Sequence, residues 1–304
     1  MQIERLSRAG DENVMPETST KVSNMFGDKL YQQRARMALP VLVRQAGSEK
    51  PIYYENLAIE LGMPNPRNLD WVLGSIGVSL NELASSKDWN EAIPHIQSLV
   101  INQRQKLPGS GFEGFLAERV SEYTQLGLNE KRAYLRGYWL DIFAYPYWDD
   151  VLEAFGLENS SPQESELIEE AKHDAGAGGG EGPEHLALKH HVRDNPGLVD
   201  LSITFPVGTE EEPLPSGDRI DVLFKSAKLL LGVEVKSRIS NDVDLIRGLF
   251  QCVKYRAVMD AERAFERQKF TVDAVLVVGR AFPEHLQPLK NSLGVRVFEV
   301  IEGQ

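Results

Sequence analysis

Residues 217–236 read GDRIDVLFKSAKLLLGVEVK and carry the most informative pattern of the chain. Two runs of β-branched and aliphatic residues flank a short polar break, a pattern that predicts a β-hairpin. Successive side chains of a strand point to opposite faces, so Asp221 shares a face with Arg219, and Glu234 shares one with Lys236. The apolar side chains expected on the other faces are Ile220, Val222 and Phe224 in the first strand, and Val233 and Val235 in the second.

Charged side chains inside such apolar strands need compensation, because removing a charge from water costs several kcal/mol. A divalent cation would compensate the carboxylates of Asp221 and Glu234, and hard oxygen ligands suit Mg²⁺ or Mn²⁺. The structural alternative is an Asp221–Lys236 ion pair with Glu234 at the wet edge of its strand. Asp218 is a rival for the first carboxylate, but it lies beside Gly217 in the turn before the strand.

This hairpin resembles the PD-(D/E)XK nuclease superfamily, in which an Asp ends one strand and (D/E)-x-K lies on its hairpin partner, followed by a helix. Asp221 matches the Asp, and Glu234-Val235-Lys236 matches the second half of the motif. The resemblance implies that Asp221, Glu234 and the Val235 carbonyl bind Mg²⁺ or Mn²⁺. It also implies that Lys236 positions the attacking water or helps to deprotonate it.

An upstream helix is predicted to carry a further acidic residue. Pro183 is favourable at a first helical position, and Leu188 and Val192 follow Glu184 at intervals of four residues. Glu184 therefore lies on or beside the apolar face of this helix. In the nuclease superfamily an acidic residue on such a helix reaches the metal site or orients the lysine, so the resemblance assigns Glu184 a catalytic and metal-supporting role.

A downstream helix is predicted after Asn241 and extends to about Lys269. Gln251 and Tyr255 are four residues apart on one of its faces. They resemble the Q-x-x-x-Y helix of the RecB-like branch of the superfamily, which implies that Gln251 and Tyr255 hold the nucleic-acid backbone.

The rest of the C-terminal sequence predicts an α/β, restriction-endonuclease-like αβββαβ core within residues 182–304, with an αβ extension. Residues 201–207 are predicted as the first strand. The continuous apolar run at 272–279 predicts a strand covered on both faces. A short helix at 283–291 and a last strand at 295–301 complete the order.

The N-terminal region carries a different pattern, which predicts a mainly helical domain at residues 29–112. An amphipathic helix at 52–62 ends in Gly62, a residue favoured after helix ends. A second helix at 67–76 and a short strand at 99–102 follow, with a Gly-rich tip behind them. Helix, turn, helix and strand in this order are typical of a winged helix.

This region resembles the winged-helix half of O6-alkylguanine-DNA alkyltransferases. It departs from them at Ile93-Pro94-His95-Ile96, where that family carries its cysteine nucleophile, so alkyl transfer is excluded and only a binding role is implied. The cations expected to contact nucleic acid near the wing are Arg67, Arg104 and Lys106. A purely structural helical module and a protein-contacting winged helix are the alternatives.

The remaining segments differ in composition. Residues 1–28 have no periodic pattern and are predicted to be a tail. Residues 113–157 are aromatic-rich and predicted to be helical, with their rings in a core. Residues 158–181 are acidic and Gly-rich, as flexible linkers are. The net charge is −12, and the acidic excess lies almost wholly in residues 111–183, so either end of the chain could still present a basic face to phosphate.

Several classes of protein are excluded by composition. No run of about 18 apolar residues is present, so no membrane span is expected. The polar N-terminus lacks a signal-peptide core, which predicts a cytoplasmic protein. The single cysteine, Cys252, excludes an internal disulfide and a Cys-based zinc site.

The sequence thus predicts a Mg²⁺- or Mn²⁺-dependent nuclease that cuts nucleic acid, best read as DNA, in defence or repair. The rival is a non-catalytic nucleic-acid-binding or regulatory protein on a nuclease fold. A third reading is a nuclease activated by a ligand or partner. A homodimer or a partner protein stays open.

Overall fold

The computed structural model describes residues 22–86, 89, 92–116, 120–160, 168–169, 171, 182–199 and 204–301. The chain forms two compact units, one of residues 1–46 and 53–159, the other of residues 47–52 and 160–304. The predicted segments 29–112 and 113–157 thus fall almost entirely in the same unit, while most of the predicted linker at 158–181 lies outside the described residues. No helix among the described residues is both long enough and apolar enough to cross a membrane.

The first unit is mainly helical. Its helices and the strands of its two-stranded sheet are α1 (Leu30–Gly47), β1 (Ile52–Tyr53), α2 (Tyr54–Glu60), α3 (Leu69–Ala84), β2 (Val100–Ile101), α4 (Val120–Gln125), α5 (Leu128–Phe143) and α6 (Trp148–Ala154). The predicted helix at 52–62 is shortened by β1, and Gly62 has the left-handed φ of +59° expected after a helix end. The predicted helix at 67–76 becomes a 3-10 turn followed by the longer α3.

Aromatic side chains and the start of the described chain complete the core of this unit. Trp139 and Trp148 are buried, and the Trp148 indole N–H donates to the Ile142 carbonyl at 2.8 Å. The prediction of a tail at 1–28 is wrong for its last residues. The Met25 side chain is fully buried and fills the core beside α3. The Met25 backbone N–H donates to the Ser79 hydroxyl at 2.9 Å. Residues 1–21 of that tail lie outside the described residues.

The second unit is α/β, as predicted, and follows the predicted order of helix, three strands, helix and strand, with a further helix and strand. Its elements are α7 (Pro183–Asp194), β3 (Thr209–Pro213), β4 (Arg219–Lys225), β5 (Leu229–Lys236), α8 (Asp242–Phe265), β6 (Thr271–Val278), α9 (Gln287–Leu293) and β7 (Arg296–Glu299). The five strands lie in the order β3-β4-β5-β6-β7. The first three are antiparallel, and β5, β6 and β7 are parallel.

The sheet of the second unit has a core on each face. On one face α8 packs against β6, and on the other Val192 of α7 packs against Val233 and Val235 of β5. Residues Ala274–Val278 are all buried, which confirms the prediction of a strand covered on both sides. The helix α8 begins at the predicted cap, because the Asn241 side chain accepts a hydrogen bond from the Asp244 N–H at 2.9 Å.

The first strand of the sheet lies later in the sequence than predicted. Residues 204–207 of the predicted strand at 201–207 are not in a strand, residues 201–203 lie outside the described residues, and β3 begins at Thr209. Pro206 has no N–H for a ladder. The apolar character of this stretch serves packing instead, since the Phe205 ring lies 5.5 Å from the Phe224 ring.

Candidate functional site

The strands β4 and β5 separate at Asp221. Their backbone pairing runs from Lys225↔Leu230 to Val222↔Val233. One step further, the Asp221 carboxylate accepts a hydrogen bond from the Val235 N–H at 2.7 Å. A side chain thus takes the place of the next backbone partner, and this fixes the carboxylate against β5.

The alternation of β4 reverses at the same point. Ile220 packs in the core under α8, whereas Val222 and Phe224 pack in the core on the α7 side. The prediction that these three side chains share a face is therefore wrong for Ile220. Next to Ile220, a Cβ added to Gly232 would lie 3.0 Å from the Met259 Cε and at an ordinary contact distance of 3.5 Å from the Ile220 side chain.

Glu234 lies at the centre of the site and is only 3% exposed. Its Oε1 is 2.8 Å from the Lys236 Nζ, and its Oε2 is 2.9 Å from the Tyr255 hydroxyl. The Tyr255 hydroxyl is also 2.8 Å from the Arg219 carbonyl, so its single hydrogen has two acceptors within reach. The ion pair in this strand is thus Glu234–Lys236, and the alternative with Glu234 at a wet edge and an Asp221–Lys236 pair is wrong.

The charges of the site shift one another's protonation. Burial, reinforced by the nearby Asp221 carboxylate, raises the pKa of Glu234 to about 7, against the opposing effects of Lys236 and Tyr255. Burial alone would lower the pKa of Lys236, but Glu234 and Asp221 outweigh it and the pKa of Lys236 is raised. The Lys236 ammonium therefore stays protonated at neutral pH.

A glycine in α8 makes room for the lysine. A Cβ added to Gly248 would lie 3.2 Å from the Lys236 Cε and 2.8 Å from the Leu276 Cδ1. The sequence did not identify Gly248 as part of the site. The available signal was an isolated glycine inside a helical pattern, which commonly has a packing reason.

Glu184 lies against a different partner from the one expected. Its Oε1 is 2.6 Å from the Arg238 guanidinium, and its Oε2 is buried without a hydrogen-bond partner among the described residues. The neighbouring His185 approaches the site instead, with its Nε2 3.7 Å from the Asp221 Oδ1. The structure thus brings His185, and not Glu184, into contact with Asp221.

The two residues of the Q-x-x-x-Y helix lie at different depths. Tyr255 is 2% exposed and is held below the carboxylates, so it has no surface with which to contact a nucleic-acid backbone, as was expected of it. Spacing by four residues identifies a common helix face but not how deeply each side chain enters the core. Gln251 is half-buried, and its Oε1 has no hydrogen-bond partner within the described part of the chain.

The rival acid Asp218 is occupied elsewhere. Its carboxylate lies 2.7 Å from the Lys254 Nζ, and hydrogen bonds from Lys254 and Ser216 lower the pKa of Asp218. This ion pair lies at the surface, which leaves Asp221 as the carboxylate beside Glu234.

A metal at this site would have oxygen donors. Within the described residues, no three His, Cys, Asp or Glu side chains form a group that could hold a metal ion. The donors present are the carboxylates of Asp221 and Glu234 and the Val235 carbonyl, which lies on the Asp221 side because the N–H and C=O of one strand residue point to the same neighbour. Two carboxylates and a carbonyl fit Mg²⁺, which keeps several waters and binds substrate phosphates, and do not form a closed zinc site.

The cations predicted to contact nucleic acid in the first unit differ in their exposure and in their contacts within the unit. Arg67 and Arg104 are exposed. Lys106, which has a left-handed φ of +58°, places its Nζ 4.2 Å from the centre of the Tyr53 ring and bonds the Tyr53 hydroxyl. Lys106 is thus engaged within the unit.

Comparison with known proteins gives no match: no family model fits the chain, and no curated protein or solved structure is significantly similar to it.

Proposed function

We propose that the second unit is a divalent-metal-dependent nuclease that hydrolyses phosphodiester bonds of nucleic acid, most simply DNA. The observation that carries this proposal is the cluster of Asp221, Glu234 and Lys236 where β4 and β5 separate, with the Glu234 carboxylate buried. The order of helices and strands around the cluster supports a restriction-endonuclease-like fold of the PD-(D/E)XK type.

The energetics of the cluster also support a functional role. Replacing a buried ion pair by apolar side chains of similar volume is often neutral or stabilising. Here the pair also lies near a second carboxylate, which raises the pKa of Glu234 further. A chain selected for stability alone has no need of this arrangement.

The residues of the cluster divide the chemistry among them. Asp221, Glu234 and the Val235 carbonyl would hold Mg²⁺ or Mn²⁺, which lowers the pKa of a coordinated water and neutralises charge on the phosphate. Lys236 would position the attacking water or help to deprotonate it, or donate a hydrogen bond to a phosphate oxygen. Tyr255 fixes the orientation of Glu234 from below.

Two outer residues have weaker parts in this proposal. Gln251 would contact the substrate with its half-buried amide, one turn of α8 before Tyr255. Glu184 would adjust the site through Arg238, to which it is bound.

The first unit would supply affinity for nucleic acid as a winged-helix-like module. Its exposed Arg67 and Arg104 would contact phosphates. Removing one such contact should make the slope of the logarithm of the binding constant against the logarithm of the salt concentration shallower by about 1. Binding of labelled duplex DNA to the Arg67→Ala and Arg104→Ala chains across a salt series tests this assignment.

Cleavage assays test the catalytic proposal. The purified chain is incubated with plasmid, linear duplex, single-stranded DNA and RNA in Mg²⁺, Mn²⁺, Zn²⁺ or EDTA. Cleavage should occur in Mg²⁺ or Mn²⁺ and vanish in EDTA. Asp221→Asn, Glu234→Gln and Lys236→Met should each lower the rate by roughly a hundredfold or more.

The matched control is Asp218→Asn, because Asp218 is an acid of the same strand region that is paired at the surface with Lys254. This variant should keep the wild-type rate. Cleavage that persists in excess EDTA, or an Asp221→Asn chain that cuts as fast as Asp218→Asn, would contradict the proposal.

A further inference from the structure

The first unit contains a cavity of about 320 Å³ between α3 and residues 108–115. Its volume lies in the range of small-molecule sites, and its walls are mostly apolar, with a few polar side chains among them. All of its lining residues belong to the first unit, so it is separate from the cluster around Glu234.

The most informative polar residue of this cavity is Gln97. Its side chain is 3% exposed, and neither its Nε2 nor its Oε1 has a hydrogen-bond partner among the described residues. Leaving a buried amide unpaired is costly, and this amide offers a donor and an acceptor side by side. An apolar ligand would leave both atoms unpaired, whereas a ligand with a complementary polar edge would satisfy them.

A flat apolar surface lies directly beside this amide. A Cβ added to Gly77 would lie 2.4 Å from the Phe115 ring and 2.7 Å from the Gln97 Nε2, so both side chains pack against the bare backbone of α3 at this glycine. The His95 ring lies 5.4 Å from the Phe115 ring and supports it from another side. The Phe115 ring and the Gln97 amide are thus fixed next to each other.

Two further polar groups line the cavity in more exposed positions. The Tyr54 hydroxyl accepts a hydrogen bond from the Gly109 N–H at 2.9 Å, which leaves its own hydrogen to donate. The Asp70 carboxylate is an acceptor on the exposed side of α3. These groups suit the hydroxyls of a sugar, for which carboxylates are common partners.

We propose that this cavity binds a nucleobase, with the ring against Phe115, the polar edge on the Gln97 amide and the sugar toward Asp70. A glutamine amide matches the adjacent donor and acceptor of adenine, and aromatic side chains take the flat face of any base. The base can belong to a free nucleoside or nucleotide, or to an unstacked position of a nucleic-acid strand.

Calorimetry on the full chain in EDTA tests this site without any contribution from cleavage. The probes are adenine, adenosine, the other three nucleosides, AMP and single-stranded oligonucleotides of one base each. One base should bind, and Gln97→Leu should weaken its binding roughly tenfold or more. Asp70→Asn should weaken adenosine but not adenine, because only the nucleoside carries a sugar.

The matched control is Gln287→Leu, since Gln287 is a buried glutamine of the other unit whose Oε1 is also without a partner among the described residues. This variant should bind as the wild type does. Binding of free nucleosides would identify the ligand of the cavity as a soluble nucleoside or nucleotide. Binding of an oligonucleotide alone, lost in Gln97→Leu, assigns a base within a strand.

Two results would overturn the proposal. One is a folded wild-type chain that binds no probe at millimolar concentration, and the other is a Gln97→Leu chain that binds as tightly as the wild type. Should Gln97→Leu not fold, Gln97→Met removes both hydrogen-bonding atoms on an unbranched side chain of nearly the same shape, and an unchanged affinity and base preference would then overturn the proposal as well.

Discussion

Glu234 in the second unit and Gln97 in the first are equally buried, at 3% exposure, yet their surroundings are opposite. Both carboxylate oxygens of Glu234 have partners within the chain, from Lys236 and Tyr255. Neither polar atom of the Gln97 amide has one among the described residues. A buried charge is too costly to leave bare, whereas an unpaired neutral amide costs about 1–3 kcal/mol and can await an external partner.

Burial by itself therefore does not indicate how a polar group is used. In the Glu234 cluster the functional signal is an excess of charge, because a second carboxylate, Asp221, lies near a pair that is already complete. In the cavity the functional signal is the buried Gln97 amide, which has no hydrogen-bond partner among the described residues.

Breaking the buried pair should cost more than replacing it. Lys236→Met leaves Glu234 without its cation and should lower the free energy of unfolding of the second unit by about 3–5 kcal/mol at pH 8. The double variant Lys236→Met, Glu234→Gln should regain most of this loss. Lys254→Met, which breaks the exposed pair with Asp218, should cost less than about 1 kcal/mol. If urea unfolding gave equal losses in the free energy of unfolding for Lys236→Met and Lys254→Met, the contrast between buried and surface pairs would be contradicted.

The carboxyl of Glu234 should make stability depend on pH. It binds its proton with a pKa of about 7 in the folded chain against 4.5 in the unfolded one, so the folded state holds more protons between these values. Its contribution is fully present below pH 4.5 and is lost as pH rises through 7, by roughly 3 kcal/mol. Urea unfolding in EDTA from pH 4.5 to 8 should show this slope, and Glu234→Gln should lack it.

The same titration gives a test of metal binding. A cation held by Asp221 and Glu234 competes with the proton, so Mg²⁺ should recover stability at the upper end of the range and not at pH 5. Parallel curves for wild type and Glu234→Gln in EDTA would contradict the raised pKa.

Removing the hydroxyl below the site should have an intermediate effect. Tyr255→Phe deprives the Glu234 Oε2 and the Arg219 carbonyl of their shared donor and should cost about 1–3 kcal/mol. Because the Tyr255 hydrogen bond lowers the pKa of Glu234, its loss should raise that pKa further and move any pH–rate profile upward. Tyr147→Phe, at an exposed tyrosine, is the control and should change neither quantity.

The smallest expected effect is a gain. Gln97→Leu removes an unpaired buried amide, so the ligand-free chain should become more stable by about 1 kcal/mol. Thermal unfolding of the first unit measures this change. A loss of stability would contradict a net cost of the unpaired Gln97 amide, and the contrast with Glu234 would then disappear.

Local patterns in the sequence predicted much of the second unit. The paired strands β4 and β5, the helix α8 and the buried strand β6 follow from periodicity and from the cap at Asn241. Strand alternation places Glu234 and Lys236 on one face, and the resemblance to the nuclease motif added Asp221. These features depend on residues close in sequence, for which side-chain direction is set by the element itself.

Other features depend on tertiary packing and could not be predicted. The depth of Tyr255 and the inward turn of Ile220 depend on how α8 lies on the sheet. Gln97 stands in an apolar run, where nothing marks it as unpaired until α3 and Phe115 close around it. Sequence reasoning identified the charged site and missed the neutral one for this reason.

The edge strand β3 has a consequence for how copies of this chain can associate. It carries Glu210, Glu211 and Glu212 in succession, and Glu211 has a left-handed φ of +54°. The Glu211 carboxylate is also tied to the buried Lys189 at 2.6 Å. An edge that is charged and locally distorted in this way is a poor template for another strand. Pairing between the β3 strands of two copies is therefore disfavoured, because their like charges would meet along an irregular edge.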